Sequence, residues 1–256
     1  MNKILQFAEN AAKEAGEIIL NFYQSEFEIK HKGFGNPVTE ADLAADTFLK
    51  NNLTEKFPEY GWLSEETKDS PARFDKMRVW VVDPLDGTKE FVEGVPNFAV
   101  SIGLVEKGIP ILGVIYNPVT KDTYSAAKGM GMKFNGQPKT ICRETELTNM
   151  NILNSRSETK RGLWKPFETH FRELIPIGSI ALKLAMTAAN QADMIGSLKP
   201  KNEWDICAGH CMISEAGGKL VTSENLEITY NKVNTLTTPG LVAGNEMAVN
   251  NFLELV

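Results

Sequence analysis

The most informative stretch of the sequence is residues 79–88, which read Val-Trp-Val-Val-Asp-Pro-Leu-Asp-Gly-Thr. The apolar run at 79–82, rich in β-branched residues, predicts a short buried strand. This strand leads directly into Asp83 and Asp86, which enclose a Pro-Leu pair. We expect a tight turn that brings two carboxylates and the carbonyl of Leu85 together. Oxygen ligands of this kind suit a hard cation, and magnesium is the natural choice.

The end of the same stretch predicts an anion-binding site. Gly87 and Thr88 are expected to begin a short helix that continues to Val92, and free amides at a helix start bind phosphate groups. Cation ligands beside a phosphate seat suit hydrolysis of a phosphate ester without a covalent nucleophile. Asp-Pro and Asp-Gly are also common turn formers, so on turn chemistry alone this stretch is more typical of a plain capped turn.

Further carboxylates follow the ends of other predicted elements. Glu65 and Glu66 come directly after a Trp-Leu-Ser segment, and Asp205 opens a late helix behind Trp204. Taken singly, the glutamate pair is typical of a solvated surface and Asp205 of a helix N-cap. The common position of these acidic residues at element ends makes them candidates for one site.

Hydrophobic periodicity outlines the rest of the chain. Helices are predicted at residues 2–23, 39–57, 179–190 and 205–216. Strands are predicted at residues 98–105, 109–116, 122–126, 150–153 and 193–197. The basic stretch 30–37 is expected to be a loop. The early strands indicate an antiparallel meander and the later ones alternate with helices, so a boundary near residue 141 would separate two tightly packed halves.

Composition excludes several classes of protein. The 256 residues include 33 acidic and 27 basic side chains, for a net charge of −6, which argues against a nucleic-acid binder. The sequence has no apolar run of the roughly 18 residues that a membrane span needs. Acidic residues at 9, 14 and 17 interrupt any signal peptide. Cys142, Cys207 and Cys211 lack disulfide or metal spacing, so we expect buried thiols and a cytoplasmic protein.

Taken in order, four motifs resemble those of the magnesium-dependent, lithium-sensitive phosphatase superfamily. This superfamily includes inositol monophosphatase, fructose-1,6-bisphosphatase and the 3'(2'),5'-bisphosphate nucleotidases. The motifs lie at residues 37–42, 63–66, 82–88 and 203–218 and extend over nearly the whole chain. The resemblance implies an α+β fold, a layered αβαβα sandwich of the inositol monophosphatase type. It also implies an N-terminal α+β part at residues 1–140 and a C-terminal α/β part at residues 141–256.

The resemblance also implies the site. The ligands of two or three magnesium ions would be the side chains of Glu65, Asp83, Asp86 and Asp205 and the carbonyl of Leu85. Glu66 would not bind the metal directly and would at most contact a residue that does. Asp42 would bind the hydroxyl of Thr88, and these two residues with Glu65 would orient and deprotonate a water molecule for in-line attack.

The choice of phosphate ester rests on three positions. Residues 88–91 (Thr-Lys-Glu-Phe) and 203–210 are similar to the nucleotidase branch, whereas residues 91–103 fit either branch. Seven positions before Asp205, inositol phosphatases carry a glutamate that binds ring hydroxyls, and this chain has Leu198, which cannot accept such hydrogen bonds. The prediction is therefore hydrolysis of the 3'-phosphate of adenosine 3',5'-bisphosphate to AMP and phosphate. The alternatives are an inositol-1-monophosphatase and a sugar bisphosphatase such as fructose-1,6-bisphosphatase.

The remaining expectations concern partners and the outer part of the substrate. Substrate contacts are expected from Gly87, Thr88, Lys89, Gly178, Ser179 and Lys183. Lys183 is more simply interpreted as a solvated helix residue, and the Gly178-Ser179 pair as a helix cap. The partner would be a small phosphate ester, with a homodimer left open. A catalytically silent protein-binding relative would have lost some of the site residues, and a structural calcium module would hold its carboxylates in one loop.

Overall fold

The computed structural model describes residues 1–24, 29–33 and 36–255 of the chain. The helices within these residues are α1 (Asn2–Leu20), α2 (Glu40–Lys56), α3 (Thr88–Val92), α4 (Arg156–Lys160), α5 (Ile180–Ala188), α6 (Glu203–Glu215) and α7 (Glu246–Leu253). Short 3-10 helices lie at Pro71–Asp75, Leu147–Asn149 and Lys165–His170. None of the helices in the described ranges is long and apolar enough to cross a bilayer.

The larger of two main sheets has seven strands in chain order. These are β3 (Gly61–Ser64), β4 (Arg78–Asp86), β5 (Ala99–Glu106), β6 (Ile109–Asn117), β7 (Asp122–Ala127), β8 (Met132–Phe134) and β9 (Gln137–Lys139). β3 runs parallel to β4, and every later neighbouring pair is antiparallel. The predicted meander of β5, β6 and β7 is therefore confirmed. Before it, β1 (Ile29–Gly33) and β2 (Asn36–Thr39) form an antiparallel pair where we expected a loop.

The second sheet has five strands in the order β11-β10-β12-β16-β14. Their bounds are β10 (Asn151–Ser155), β11 (Glu173–Ile177), β12 (Met194–Ser197), β14 (Lys219–Thr222) and β16 (Leu241–Gly244). β10 is parallel to β11 and β12, whereas β16 is antiparallel to its two neighbours. The short strands β13 (Lys201–Asn202) and β15 (Leu236–Thr237) pair separately.

The layers follow from which face of each strand is covered. Along β4, Trp80 and Val82 face the core under α1 and α2, whereas Val79 and Val81 face the core that contains α5 and α6. A strand covered on both faces has no polar side, which explains its unbroken apolar run. The second sheet closes the far side of α5 and α6, and α7 packs on its outer face. The order of layers is αβαβα, as the resemblance implies.

Helix α6 lies unusually close to the seven-stranded sheet. A Cβ atom on Gly113 would come within 2.2 Å of the carbonyl oxygen of Ala208, and one on Gly103 within 2.5 Å of the Sγ atom of Cys207. Glycine at these two strand positions is therefore required for α6 to pack this close to the sheet. Cys207 and Cys211 are buried thiols, as expected, whereas Cys142 is only half-buried and corrects that part of the prediction.

Two further differences separate the predicted elements from the structure. The strand that enters the aspartate pair does not end at residue 82, because β4 continues to Asp86 with a register shift against β5 between Asp83 and Asp86. A bulge of this kind tolerates Pro84, which has no N–H group to donate to the sheet. The helix α6 begins at Glu203, so Asp205 lies inside its first turn instead of at its N-cap. The division of the chain near residue 141 stays a prediction.

Candidate active site

Three carboxylates from separate elements meet at the edge of the large sheet. Glu65 follows β3 and its N–H group donates to the carbonyl of Val82 at 3.2 Å, Asp83 lies in β4, and Asp205 lies in the first turn of α6. One oxygen of each carboxylate lies within 4.8 Å of the others. This metal cluster, as we name Glu65, Asp83 and Asp205, has the oxygen-only ligands that a hard cation prefers.

The electrostatics of the metal cluster favour a bound cation. Burial raises the pKa of Asp83 well above its usual range, and the charges of Glu65, Asp86 and Asp205 raise it further. The pKa of Asp205 is raised for the same reasons, burial first and then the charges of Asp86 and Glu65. Neighbouring carboxylates repel each other when both are ionised, and a divalent cation bound between them removes this repulsion. The residues present therefore fit an ion such as magnesium.

Asp86 lies beside the metal cluster and is tied to the start of α5. Its Oδ2 atom accepts hydrogen bonds from the hydroxyl of Ser179 and from the N–H group of Ala181, the latter at 2.6 Å. Burial raises the pKa of Asp86 to about 6, and these two donors act in the opposite direction. Both hydrogen bonds end on the Oδ2 atom of Asp86, and its Oδ1 atom accepts neither of them.

The predicted contact between Thr88 and Asp42 is present. The Thr88 hydroxyl lies 3.0 Å from Oδ1 of Asp42 and 3.2 Å from the carbonyl oxygen of Leu85, and its one proton can go to either acceptor. Oδ2 of Asp42 accepts from the N–H and hydroxyl groups of Thr39 at 2.7 and 2.6 Å, in a capping box at the start of α2. Asp42 is thus fixed, and the Thr88 oxygen can accept a hydrogen bond from water. The catalytic roles of these residues stay predictions.

A cleft of about 300 Å³ opens onto these groups. All of the residues expected to contact the substrate line this cleft, namely Gly87, Thr88, Lys89, Gly178, Ser179 and Lys183. Ser179 caps α5, because its Oγ atom accepts from the N–H group of Leu182 at 3.0 Å, and it also binds Asp86. The cleft is also lined by Ser155, Arg156, Ser157, Lys201 and Asn202.

Lys183 is not the solvated helix residue that we expected. Its side chain is only 3% exposed, and its Nζ atom donates to the carbonyl of Ile177 at 3.0 Å. Burial lowers the pKa of Lys183 to about 8, and the charge of Lys201 lowers it as well. The expectation was wrong because α5 lies between the two sheets and buries nearly all of its residues.

The sequence did not indicate the role of Arg156 or of Glu90. The Nη1 atom of Arg156 lies 3.0 Å from Glu90 and its Nη2 atom 2.9 Å from Glu93, and these ion pairs link the start of α4 to α3. Gly178 leaves room for Glu90, whose carboxyl carbon would lie 2.0 Å from a Cβ atom at residue 178. These groups come from distant parts of the sequence, so no local spacing connects them.

Leu198 does not line the cleft. Its side chain packs against the outer core of the second sheet, and its N–H group donates to Oε2 of Glu158 at 3.1 Å. The absence of a glutamate at this position therefore says little about which hydroxyl groups the cleft could bind.

Comparison with known proteins places the chain in a family. The sequence model of the inositol monophosphatase family matches residues 1–252. Inositol monophosphatase 3 of Solanum lycopersicum is 34% identical over 229 residues, covering 85% of each chain. The 3'(2'),5'-bisphosphate nucleotidase CysQ of Shigella flexneri is 33% identical over 247 residues, covering 94% of this chain and 97% of that protein. The crystal structure of the extragenic suppressor protein suhB from Bartonella henselae superposes with a TM-score of 0.89 at 28% identity, covering 99% and 98% of the two chains.

Proposed function

Because the chain belongs to the inositol monophosphatase family of magnesium-dependent phosphatases, we propose that it removes the 3'-phosphate of adenosine 3',5'-bisphosphate to give AMP and phosphate. The residues of the metal cluster, with Asp86 and the carbonyl of Leu85, would hold the magnesium ions. Bound magnesium polarises the phosphoryl group and lowers the pKa of water.

The chain's own residues would position the water and the phosphate. The Thr88 hydroxyl donates to Asp42 or to the carbonyl of Leu85, which leaves its oxygen free to accept a hydrogen bond from the attacking water and so to orient it. Glu65 is the candidate base that takes the one proton the water loses as it attacks, and the other proton stays on the phosphate product. Gly87 and Thr88, at the start of α3, remain the candidate contacts of the scissile phosphate, and Lys89 remains a candidate contact of the outer part of the substrate. Ser179 would act mainly through Asp86, since its hydroxyl already donates there.

The observation that carries the nucleotide proposal is the pair of lysines, Lys183 and Lys201, that line the cleft. Lys183 and Lys201 are close enough for the charge of one to lower the pKa of the other. Among the described residues, neither ammonium group forms an ion pair with a carboxylate, although Asp86 and Glu158 lie near enough to attract Lys183. Two neighbouring cations on a cleft wall favour an anion between them. A substrate with two phosphates can supply that anion while its other phosphate lies at the metal cluster, whereas an inositol monophosphate has only the phosphate that is hydrolysed.

The second candidate is an inositol monophosphatase. It is favoured by the inositol monophosphatases among the relatives, which are 30–34% identical, and Leu198 gives no reason to exclude it because that side chain lies outside the cleft. A sugar bisphosphate is a third candidate, since it also carries two phosphates.

The test measures phosphate release with magnesium from four substrates side by side, with and without lithium. These are adenosine 3',5'-bisphosphate, adenosine 3'-monophosphate, inositol 1-phosphate and fructose 1,6-bisphosphate. We expect the highest kcat/KM for the first, and the 3'-monophosphate isolates what the second phosphate contributes. A preference for inositol 1-phosphate or for the sugar bisphosphate would overturn the nucleotide assignment. Release from none of the four would overturn the phosphatase itself and favour a catalytically silent relative.

A further inference from the structure

Helix α2 carries two buried carboxylates one turn apart, Asp42 and Asp46. Residues four apart lie on the same face of a helix, so both point toward the same side of α2. Asp42 binds Thr88, as described above. Asp46 is 6% exposed and has no part in the motifs considered so far.

Asp46 binds both ends of the segment that carries Glu65. Its Oδ1 atom accepts from the hydroxyl of Ser64, and its Oδ2 atom accepts from the hydroxyl of Thr67 at 2.5 Å. Ser64 and Thr67 flank the Glu65-Glu66 pair directly in the sequence. One carboxylate on α2 therefore brackets residues 64–67 with one hydrogen bond from each end.

These two hydrogen bonds lie at the end of β3, where the chain leaves the large sheet. The bond from the Glu65 N–H group to Val82 is a backbone link to the neighbouring strand at the end of β3. On the far side of Glu65, the Thr67 hydroxyl bond to Asp46 links the segment to α2. Glu65 is thus held from the sheet on one side and from α2 on the other.

We propose that Asp46 is a positioning residue that fixes the Glu65 carboxylate in the metal cluster relative to Thr88. This inference rests on the proposed function, because it assumes that Glu65 holds magnesium. The helix connects the two groups assigned to the attacking water, since Asp42 holds Thr88 and Asp46 holds the segment of Glu65. Loss of groups that orient a metal ligand typically weakens metal affinity or activity by about 10–100-fold.

The experiment measures magnesium binding by calorimetry without substrate, together with kcat and KM at saturating magnesium. Thr67→Val removes the hydroxyl and keeps the shape, and Asp46→Asn leaves one acceptor oxygen for two hydroxyl donors. We expect about tenfold weaker magnesium binding for each variant, a lower kcat and little change in KM. Thr67→Ser restores the donor and should return magnesium affinity to near the wild-type value.

Thr47→Val is the matched control, because the Thr47 hydroxyl is on the same helix and, among the residues that the structure describes, bonds only to the carbonyl of Leu43 at 2.8 Å. It should leave magnesium affinity unchanged. If Thr67→Val lowers the melting temperature but leaves magnesium affinity and kcat at the wild-type values, the positioning role is refuted. Should Asp46→Asn fail to fold, Thr67→Val and Ser64→Ala decide the question. A wild-type protein that neither binds magnesium nor releases phosphate would refute the proposed function instead.

Discussion

Replacement of Lys183 by methionine should make the protein more stable and a poorer enzyme toward bisphosphates. Burial lowers the pKa of Lys183 from 10.5 to about 8 in the folded protein. The charged form is therefore disfavoured on folding, and the difference between the two pKa values corresponds to about 3 kcal/mol at pH 7. This penalty is complete below pH 8 and disappears as the pH rises to 10.5. Methionine has a similar volume and no charge.

Loss of the hydrogen bond from the Lys183 ammonium group to the carbonyl of Ile177 opposes this gain in stability. A hydrogen bond with a charged donor contributes about 1.5–3 kcal/mol, which leaves a net stabilisation of at most about 1.5 kcal/mol. A charge-assisted hydrogen bond to a phosphate contributes about 1.5–3 kcal/mol. We therefore expect kcat/KM for adenosine 3',5'-bisphosphate to fall by roughly 10- to 150-fold, with a small change for adenosine 3'-monophosphate.

The assay combines urea unfolding at pH 7 with kcat/KM for both nucleotides. Lys89→Met is the control for stability, because Lys89 is exposed on the same cleft and its loss should change the free energy of unfolding by less than about 0.5 kcal/mol. A Lys183→Met variant that loses stability would refute the burial argument. Equal losses of kcat/KM for the two nucleotides would refute the assignment of Lys183 to the second phosphate.

Three further predictions concern the site and its surroundings. Asp86→Asn should remove most magnesium-dependent turnover with the fold intact, since the amide oxygen can still accept from Ser179 and Ala181; a near-normal rate would exclude Asp86 from the metal site. Thr88→Ala should lower kcat far more than it raises KM, because a water-orienting group acts in the transition state, and a defect in KM alone would contradict that role. Burial lowers the pKa of His210 to about 4, so the unfolded chain binds a proton near pH 6.5 that the folded protein excludes. Stability should fall by about 2 kcal/mol from pH 7 to pH 5 through this residue, and His210→Gln should show a shallower decline; an unchanged slope would contradict it.

Local signals in the sequence predicted much of the fold. The helix α2, the hairpin of β5 and β6 and the start of α3 at Thr88 follow from periodicity and turn residues that lie within a few positions of one another. The carboxylates of the metal cluster were identified by their common place at element ends and by the resemblance. The strands β14 and β16 and the helix α7 were not predicted.

The position of Lys183 could not be predicted, for a physical reason. In α5 the apolar residues surround the helix, because a sheet covers it on each side. No face of such a helix is polar, so the sequence pattern does not show whether a lysine in it is buried or exposed to solvent. The burial of Lys183 therefore depends on which residues the two sheets cover, and this is a property of the layers. The same reason applies to Leu198, whose direction is set by the strand β12 and the core beyond it.

The middle layer of helices also explains how the fold tolerates so many neighbouring carboxylates in one place. Asp205 lies in the first turn of α6, where its Oδ2 atom accepts from the N–H group of Asn202 at 2.9 Å. Asp86 accepts from the N–H group of Ala181 at the start of α5. The positive end of a helix dipole and its unpaired N–H groups stabilise negative charge at both positions. Both helices begin near the ends of β3 and β4, where Glu65 and Asp83 lie. The αβαβα arrangement therefore brings the carboxylates together and places helix N-termini beside them, which offset part of their negative charge.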